Sequence, residues 1–309
     1  MINSQSNLRK ASRQKAKIRL GISGPSGSGK TITALMIAYG ITGTWDNIAV
    51  IDTESNSADL YANHTVKSGK KDFKIGEFNV LPLRPPFTPE RYIDAIQDCE
   101  AAGMDVIIID SSSHEWNGEG GIIEMVDNLK RSSNGGNAFT AGWSEATPRH
   151  NKFVQAMLAS PSHIIACMRS KVDYVLEAND KGKMVPKKMG LAPVQREGLD
   201  YEFTTHFDLN QHHMAKAMKD RTGLFIGKAD EVPTVETGKK ILEWCESGVD
   251  APAPDEVQAA IKKLLACKSI VEMELTVKGF PPHVLSDDKF ISAGKAHKQI
   301  VTPKTKANV

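Results

Sequence analysis

The sequence predicts an α/β fold with a mostly parallel central sheet, flanking helices and antiparallel extension strands. Two observations carry this prediction. Continuous apolar runs, such as residues 106–110, alternate with helical patterns, which is typical of parallel strands buried on both faces. In the second half of the chain, the polar tetrapeptide 179–182 separates two strand-like segments and indicates a hairpin.

The elements follow in order along the chain. Strands are predicted at 18–23, 48–52, 73–83, 106–110 and 162–168, with helices at about 30–41, 144–159 and 235–246. Another helix begins after Thr88, because Thr88 can cap it, Pro89 fits its first position and Glu90 favours the positive end of its dipole. Two antiparallel pairs, 172–177 with 184–188 and 201–210 with 214–218, extend the sheet.

The composition predicts four segments. Residues 1–16 form a basic arm, 17–248 the main domain, 249–254 a proline-rich linker and 255–309 a small helical extension whose basic tail, from Lys289, is largely unpatterned. The arm is either a solvated tail or a contact for nucleic acid or a neighbouring subunit. Its basic residues belong to a run without acidic residues that continues into the main domain: Arg9, Lys10, Arg13, Lys15, Lys17 and Arg19.

Composition and charge exclude several classes of protein. Apolar runs are shorter than the roughly 18 residues that a membrane span needs, and the polar stretch 1–19 is not a secretory signal. The four cysteines lie far apart without a CxxC pair, so we expect a reduced, cytoplasmic protein without structural zinc. Because the net charge is only +2, any nucleic-acid surface must come from local clusters of basic residues.

One motif points directly to chemistry. After the first strand and at the start of a helix, the chain matches GxxxxGK[ST], a loop whose backbone amides hold phosphates. We expect Lys30 to reach the β- and γ-phosphates of ATP and the Thr31 hydroxyl to bind Mg²⁺. The expected nucleotide contacts are Gly24, Pro25, Ser26, Gly27, Ser28, Gly29, Lys30, Thr31 and the adjoining Ile32.

Acidic residues follow two of the apolar strands. Asp110 ends the most apolar strand and is the expected second Mg²⁺ residue. Glu54 follows the strand after the P-loop helix and can polarise a water for attack on the γ-phosphate, although a capping or solvated acidic cluster is the alternative. A serine among residues 111–113, or Glu115, is a further candidate for orienting that water.

Two basic residues, Arg169 and Lys171, follow the fourth apolar strand of the predicted parallel sheet. Ligands of open α/β sheets lie at the carboxyl ends of the strands, so we expect Arg169 near the phosphates as a sensor or charge stabiliser. A solvated strand end is the alternative. The pair His212-His213 lacks partners spaced for a metal and is interpreted as a polar hairpin turn.

The motifs together resemble the RecA-like ATPases, and more narrowly the phage-encoded RecA-like proteins of the Sak-type single-strand annealing and recombination group. The resemblance covers about residues 17–227 and rests on the P-loop, residues 51–54, 106–111 and 191–203. It implies a RecA-like P-loop core, a catalytic-base role for Glu54, single-stranded DNA as partner, and a homo-oligomer or filament.

The resemblance also implies DNA-contacting loops after the third and fourth strands, here at about 117–148 and 171–200. Their basic residues are the candidates for DNA contact, and one of the last three could reach into a neighbour's ATP site: Lys130, Arg131, Lys187, Lys188 and Arg196. No recognisable N-terminal polymerisation domain is present, so annealing is favoured over strand invasion. A single-strand-binding protein is a possible partner of the C-terminal extension.

The sequence thus predicts a Mg²⁺-dependent ATPase, stimulated by DNA, that acts on single-stranded DNA in phage recombination or annealing. Two alternatives use the same phosphate loop. One is a small-molecule or nucleotide kinase, which would need an arginine-rich lid that the chain lacks. The other is a module that binds ATP as a switch without hydrolysing it.

Overall fold

A computed structural model of the chain describes residues 11–68, 71–132, 138–178, 184–249 and 254–301. The described residues fall into two compact units, one of 17–244 and a smaller one of 11–16 with 245–301. Within these ranges, no helix is both long and apolar enough to cross a membrane. The predicted domain bounds, 17–248 for the main domain, stay a proposal.

The larger unit is organised around an eight-stranded sheet. Its strands are β1 (Arg19–Gly24), β2 (Ile48–Asp52), β5 (Asn79–Pro82), β6 (Val106–Asp110), β7 (His163–Ala178), β8 (Met184–Pro193), β9 (Thr205–Leu209) and β10 (Ala215–Asp220), while β3 (Thr65–Ser68) and β4 (Lys71–Lys74) form a separate antiparallel pair. The order is β10-β9-β1-β7-β6-β2-β5, with β8 beside β7. Strands β9 to β5 in this order run parallel, whereas β10 and β8 run antiparallel to their neighbours. The predicted fold class is therefore confirmed.

Helices cover both faces of this sheet. They are α1 (Lys30–Thr42), α2 (Pro89–Ala101), α3 (Ser113–Asn117), α4 (Ile122–Ser132), α5 (Ala138–Ala159) and α6 (Val235–Glu246). Ile107 and Ile109 of β6 share one buried core with Tyr92 of α2 and Phe153 of α5. Because side chains alternate along a strand, Ile108 lies on the opposite face, and α1 contacts β6 there.

The helices α1 and α6 pack unusually closely. A Cβ atom placed on Gly40 of α1 would lie 2.8 Å from the Cα of Gly238 in α6, and one placed on Gly238 would lie 2.2 Å from the carbonyl oxygen of Ile37. Neither glycine can gain a side chain without moving a helix backbone. This contact fixes the distance between the P-loop helix and the last helix of the larger unit.

The prediction of a single strand at 73–83 is wrong. The segment forms two strands, β4 and β5, that belong to different sheets. The chain leaves β4 at Ile75, whose amide donates to the carbonyl of His64, and passes against the indole of Trp45, which would lie 2.4 Å from a Cβ on Gly76. The contact with Trp45 thus lies between β4 and β5, where the predicted strand is interrupted.

The loop expected at 117–148 is also wrong over most of its length, because α4 and the start of α5 occupy it. Ile122 and Val126 of α4 pack with Ala146 of α5 in a small buried cluster, which gives α4 an apolar face to bury. Residues 133–137, which include the glycine-rich stretch, lie outside the described residues, as does the polar tetrapeptide 179–182 on which the hairpin prediction rests.

Arg19, grouped above with the basic N-terminal run, is buried in β1. Its guanidinium donates to the carbonyl oxygens of Leu158 at 3.0 Å and Ser162 at 2.7 Å, at and just beyond the end of α5. A cation at a helix C-terminus satisfies carbonyls that have no partner within the helix. Arg19 is therefore a structural residue of the main domain and not part of a DNA-binding arm.

The smaller unit has its own core. It contains α7 (Pro254–Leu265), α8 (Ile270–Lys278), α9 (Pro282–Leu285) and α10 (Asp288–Val301), which bury a shared apolar cluster made by Val257, Ala260, Leu264, Cys267, Met273, Val284 and Phe290. The tail expected to be unpatterned from Lys289 is instead helical as far as Val301. Phe290 and His297 are its buried residues, so this segment folds because it contributes to the small core.

Candidate functional site

The phosphate loop lies between β1 and α1, where the motif places it. Gly27 and Gly29 have φ angles of 78° and 83°, a left-handed conformation that glycine adopts without strain. A Cβ on Gly24 would lie 2.4 Å from the Ser28 hydroxyl oxygen and 2.8 Å from the carbonyl oxygen of Leu209. The glycines at these positions are therefore required by the shape of the loop itself.

Lys30 folds back along the loop that it follows. Its ammonium donates to the carbonyl oxygens of Gly24 and Pro25, both at 3.0 Å. The loop thus holds a positive charge at its own opening, in front of the N-terminus of α1. A triphosphate would find there both the lysine and the positive end of a helix dipole.

The predicted magnesium residues are in direct contact. The Thr31 hydroxyl donates to Oδ2 of Asp110 at 2.5 Å. Burial raises the pKa of Asp110 to about 6, against the hydrogen bond from Thr31, which lowers it. A hydroxyl and a buried carboxylate at one point are hard oxygen ligands of the kind that Mg²⁺ prefers, so the residues present fit this ion.

Strand register brings the remaining predicted residues to the same edge. Asp52 pairs with Asp110, Asp110 with Cys167, and Gly24 with Arg169. As a result the carboxyl ends of β1, β2 and β6, together with Arg169 within β7, lie side by side. The prediction that Arg169 follows the end of its strand is wrong. Arg169 lies within β7, because β7 continues into the hairpin with β8.

Glu54 forms an ion pair with Arg169. The Nη2 and Nε atoms of Arg169 lie 2.9 Å and 3.0 Å from Oε1 of Glu54. Burial raises the pKa of Glu54, but the hydrogen bond and the positive charge of Arg169 outweigh burial and hold that pKa below its ordinary value. His114 and Lys30 are also close enough to lower this pKa electrostatically.

Asp52 positions the segment that carries Glu54. Its two carboxylate oxygens accept the amides of Glu54, at 2.6 Å, and Ala58, at 3.1 Å. Between them Ser55 and Asn56 adopt positive φ angles of 60° and 65°. Asp52 is buried and engaged by the backbone, so its part is to shape the turn, while the side chain of Glu54 extends into the site.

The hydroxyls of the serines at 111–113 form hydrogen bonds with backbone groups. Ser112 donates to the carbonyl of Cys167 at 3.1 Å, and the hydroxyl of Ser113 accepts the amide of Arg169 at 2.9 Å. All three serines are buried. Their hydrogen bonds tie the end of β6 to β7, which makes them less suited than Glu54 to orient a water.

Glu115 is fully buried away from solvent. Its carboxylate lies 3.0 Å from Nδ1 of His150 and 3.4 Å from the amide nitrogen of Gln195, and burial raises its pKa. Gln195 also donates to the carbonyl of Ser112 at 3.0 Å. This buried cluster joins the segment after β6 to the residues that follow β8.

Sequence reasoning missed three residues of the site. Tyr61 lies beside Thr31 and Asp110, where burial first and then the charge of Asp110 raise the pKa of its phenol. His213 places Nδ1 2.9 Å from the carbonyl oxygen of Ser28, so the polar turn between β9 and β10 touches the phosphate loop. No sequence motif marks Tyr61. His213 reaches the phosphate loop only because β9 pairs with β1, which the sequence does not reveal.

The third missed residue is His114. Its Nδ1 lies 2.8 Å from the hydroxyl of Thr53, and its ring stacks on Phe87 with centroids 4.9 Å apart. Burial and then the charge of Arg169 lower the pKa of His114. His114 lines a pocket of about 350 Å³ together with Glu54 and Arg169.

The basic residues proposed for DNA contact lie in three places: α4, β8 and the segment after β8. Lys130 and Arg131 end α4, where Lys130 pairs with Asp127 at 3.1 Å and Arg131 is exposed. Lys187 and Lys188 lie in β8, opposite Val175 and Tyr174 of β7 in register. One pair of basic residues therefore lies in a helix and the other in a strand, whereas both were expected in loops.

Arg196, three residues beyond the end of β8, is partly exposed. Its guanidinium lies 3.4 Å from the side-chain oxygen of Asn151, a weak contact. With Lys171 it lines a pocket of about 450 Å³ at the base of the β7–β8 hairpin. The antiparallel pairing predicted for 172–177 with 184–188 is present in this hairpin.

The chain was compared with known proteins. The AAA domain family matches residues 16–238. No curated protein matches the chain. Among solved structures the chain is similar to the RadB recombinase, whose crystal structure aligns with 68% of this chain and 84% of its own at 13% sequence identity and a TM-score of 0.33. The family match includes the P-loop, Glu54, Asp110 and Arg169.

Proposed function

Because the chain belongs to the AAA domain family, we propose that its P-loop domain is a Mg²⁺-dependent, RecA-like ATPase that acts on single-stranded DNA in phage recombination or annealing. The observation that carries the proposal is the position of Glu54. Its strand β2 is separated from the P-loop strand β1 by β6 and β7, yet Glu54 reaches the same edge of the sheet and lies within electrostatic reach of Lys30. A carboxylate there can accept the proton of an attacking water, as hydrolysis requires.

The proposed reaction needs one proton acceptor. Glu54 takes a proton from a water, whose oxygen forms a bond to the γ-phosphorus while the bond from that phosphorus to the bridging oxygen breaks. ADP and phosphate are the products, and the proton remains on Glu54 until solvent removes it. Lys30 stabilises the charge that develops on the phosphate oxygens.

The proposed nucleotide contacts are the loop residues Gly24, Pro25, Ser26, Gly27, Ser28, Gly29, Lys30, Thr31 and Ile32. Thr31 and Asp110 would hold Mg²⁺, which when bound neutralises charge on the β- and γ-phosphates. The 2.5 Å contact between these two side chains supports the assignment, because both oxygens already converge on one point.

Arg169 is proposed to bind the γ-phosphate. In the described state its guanidinium is engaged by Glu54, which lowers the pKa of Glu54 and makes it a weaker base. A phosphate with two negative charges attracts a guanidinium more strongly than one carboxylate does. ATP binding would therefore draw Arg169 away and release Glu54 for the water.

The hairpin that begins at Arg169 is the proposed DNA contact. The amide of Val194 donates to the carbonyl of Arg169 at 2.6 Å, and Gln195 contacts Ser112, so both strands of the hairpin end at the catalytic edge. A DNA strand bound along the hairpin would thus alter the rate of ATP hydrolysis. The proposed contact residues are Lys187, Lys188 and Arg196, with Lys130 and Arg131 on α4.

The remaining parts of the proposal concern assembly. The domain would form a homo-oligomer or filament, in which Arg196, Lys187 or Lys188 reaches a neighbour's ATP site. The small unit that contains α7 to α10 would contact a single-strand-binding protein. Its independent core supports a separate binding role, because removing such a unit leaves the catalytic sheet whole.

An ATPase assay with no nucleic acid, single-stranded DNA, duplex DNA and RNA tests the proposal. We expect release of free phosphate that single-stranded DNA increases most. Lys30→Ala should abolish nucleotide binding or turnover, whereas Lys67→Ala, which removes an exposed lysine of β3, should not. Transfer of the phosphate to an acceptor would indicate a kinase, and tight ATP binding without turnover would indicate a switch; either result rejects hydrolysis.

A further inference from the structure

The pocket of about 350 Å³ that His114 lines with Glu54 and Arg169 adjoins the catalytic edge. None of the phosphate loop residues lines it. Its polar walls are formed by Glu54, Arg84, His114 and Arg169. The P-loop motif assigns no role to this pocket, and Arg84 has no part in the site described so far.

The charge of the pocket is positive. Among the residues that line it, Arg84 and Arg169 carry positive charges and Glu54 carries the single negative charge. Burial and the nearby charge of Arg169 lower the pKa of His114, which favours its neutral imidazole. Two guanidiniums that face one carboxylate leave a site suited to an oxyanion.

The walls are held in place by contacts outside the pocket. Arg84 donates to the side-chain oxygen of Asn56, and Arg91 donates to the carbonyl oxygen of Pro86 at 2.8 Å, which fixes the loop after β5. Arg91 also donates to the carbonyl of Arg84. A pre-positioned cation loses less conformational entropy when it binds an anion.

His114 is held on the opposite wall. Its Nδ1 contacts Thr53 at 2.8 Å, so Nε2 is the ring nitrogen left to meet a ligand. The Thr53 hydroxyl donates to the carbonyl of Ser111 at 3.2 Å, so Nδ1 carries the proton of the neutral ring and Nε2 is a hydrogen-bond acceptor. An acceptor beside two guanidiniums fits an oxyanion that still carries a proton of its own.

The geometry of hydrolysis indicates which anion arrives there. Attack in line with the departing ADP moves the phosphorus toward the water, and therefore toward Glu54. ADP still fills the phosphate loop at that moment. Glu54 has accepted the water's proton and is neutral, so it no longer repels an anion.

We propose that this pocket binds the inorganic phosphate that hydrolysis releases, with Arg84 and Arg169 as its cationic ligands. The inference rests on the proposed ATPase function and adds a product site to it. Arg84 holds phosphate after cleavage, and Arg169 follows the phosphate from the γ-position into the pocket. Release of phosphate from this pocket then precedes the return of Arg169 to Glu54.

The test measures phosphate binding directly, without turnover. Inorganic phosphate is titrated into the full-length protein saturated with Mg²⁺ and ADP, and binding is followed by calorimetry and by ³¹P NMR. We expect saturable binding in the wild type, an affinity at least ten-fold weaker in Arg84→Ala, and partial recovery in Arg84→Lys. Lys67→Ala, which removes one exposed lysine elsewhere, should bind phosphate as the wild type does.

Three outcomes overturn the assignment. If ADP binds but phosphate does not, or if Arg84→Ala binds phosphate with unchanged affinity, the pocket is not a product site even though the ATPase proposal stands. If neither ADP nor ATP binds, the proposed function fails and this inference fails with it. Phosphate inhibition of ATP turnover, weakened in Arg84→Ala, is the second readout. Arg84 is exposed, so a thermal melt should show that the variant is folded.

Discussion

Arg169 and Glu54, 115 residues apart in the chain, meet at the edge of the sheet through two guanidinium contacts to a single carboxylate oxygen, at 2.9 Å and 3.0 Å. The pair joins the turn after β2 to β7, the strand that continues into the β7–β8 hairpin. It also sets the ionisation of the residue proposed as the general base. Most of the predictions below depend on this edge.

Glu54→Gln should bind ATP with nearly normal affinity but hydrolyse it about 10²–10⁴-fold more slowly, the usual contribution of a general base. The amide keeps the size of the side chain, but it cannot accept the proton and it loses the charge that pairs with Arg169. Steady-state turnover and fluorescent-nucleotide binding measure the two effects separately. Glu77→Gln, an exposed carboxylate of the same unit, is the matched control. Turnover of Glu54→Gln at the wild-type rate would remove Glu54 from the mechanism.

Arg169→Ala should move the acidic limb of the pH–rate profile to higher pH. Arg169 holds the pKa of Glu54 down, and without it burial raises that pKa, so a larger fraction of Glu54 is protonated at a given pH. The profile of kcat/KM reports the free enzyme, in which the ion pair exists. An acidic limb that stays in place, or that moves to lower pH, contradicts the coupling between the two residues.

Asp110→Asn should stabilise the protein at pH 7 while abolishing turnover. Burial raises the pKa of Asp110 in the folded state to about 6, so keeping this carboxylate ionised opposes folding at neutral pH. The free energy of unfolding of the wild-type protein therefore falls as pH rises from about 4 to above 6. We expect a gain of about 1–3 kcal/mol at pH 7 that shrinks toward pH 4. Urea denaturation in the absence of Mg²⁺, at both pH values, measures it; destabilisation at pH 7 would be the contrary result.

Gly238→Ala should destabilise the larger unit by about 1–3 kcal/mol through overpacking. The added methyl group would lie 2.2 Å from the carbonyl oxygen of Ile37 and 2.8 Å from the Cα of Gly40, so α6 must move away from α1. Thermal denaturation checks this. Gly279→Ala is a suitable comparison, because a Cβ there meets its first neighbour at 3.5 Å. Equal melting temperatures for the two variants would show that α1 and α6 separate easily.

Local patterns were enough to predict much of this protein. The phosphate loop could be found because glycines at fixed positions, a lysine and a threonine are each required by one short piece of backbone. The strand that ends at Asp110 could be found because an uninterrupted apolar run between polar residues is typical of a buried parallel strand. The helix at Val235–Glu246 was predicted with the bounds that the structure gives it.

Errors arose where a distant residue decides local structure. Trp45 lies against Gly76 and divides the segment predicted as one strand. Arg19 belongs to a basic run in the sequence, yet it is buried against carbonyls around the end of α5. The burial of α4 against α5 turned an expected loop into helices. In each case the partner is far away in the chain, and no local pattern reveals it.

The sequence by itself determined the α/β class, the phosphate loop and the strand ends that carry Glu54 and Asp110, because these depend on periodicity and on short-range backbone geometry. Only the tertiary structure decided which side chains meet. The register of β2, β6, β7 and β1 places Thr31 on Asp110 and Arg169 on Glu54, and pairing of β9 with β1 brings His213 to the loop. The loop after β5 adds Arg84 to the same edge. Such contacts depend on strand order and on the loss of water around buried charges, and neither is a property of a short stretch of sequence.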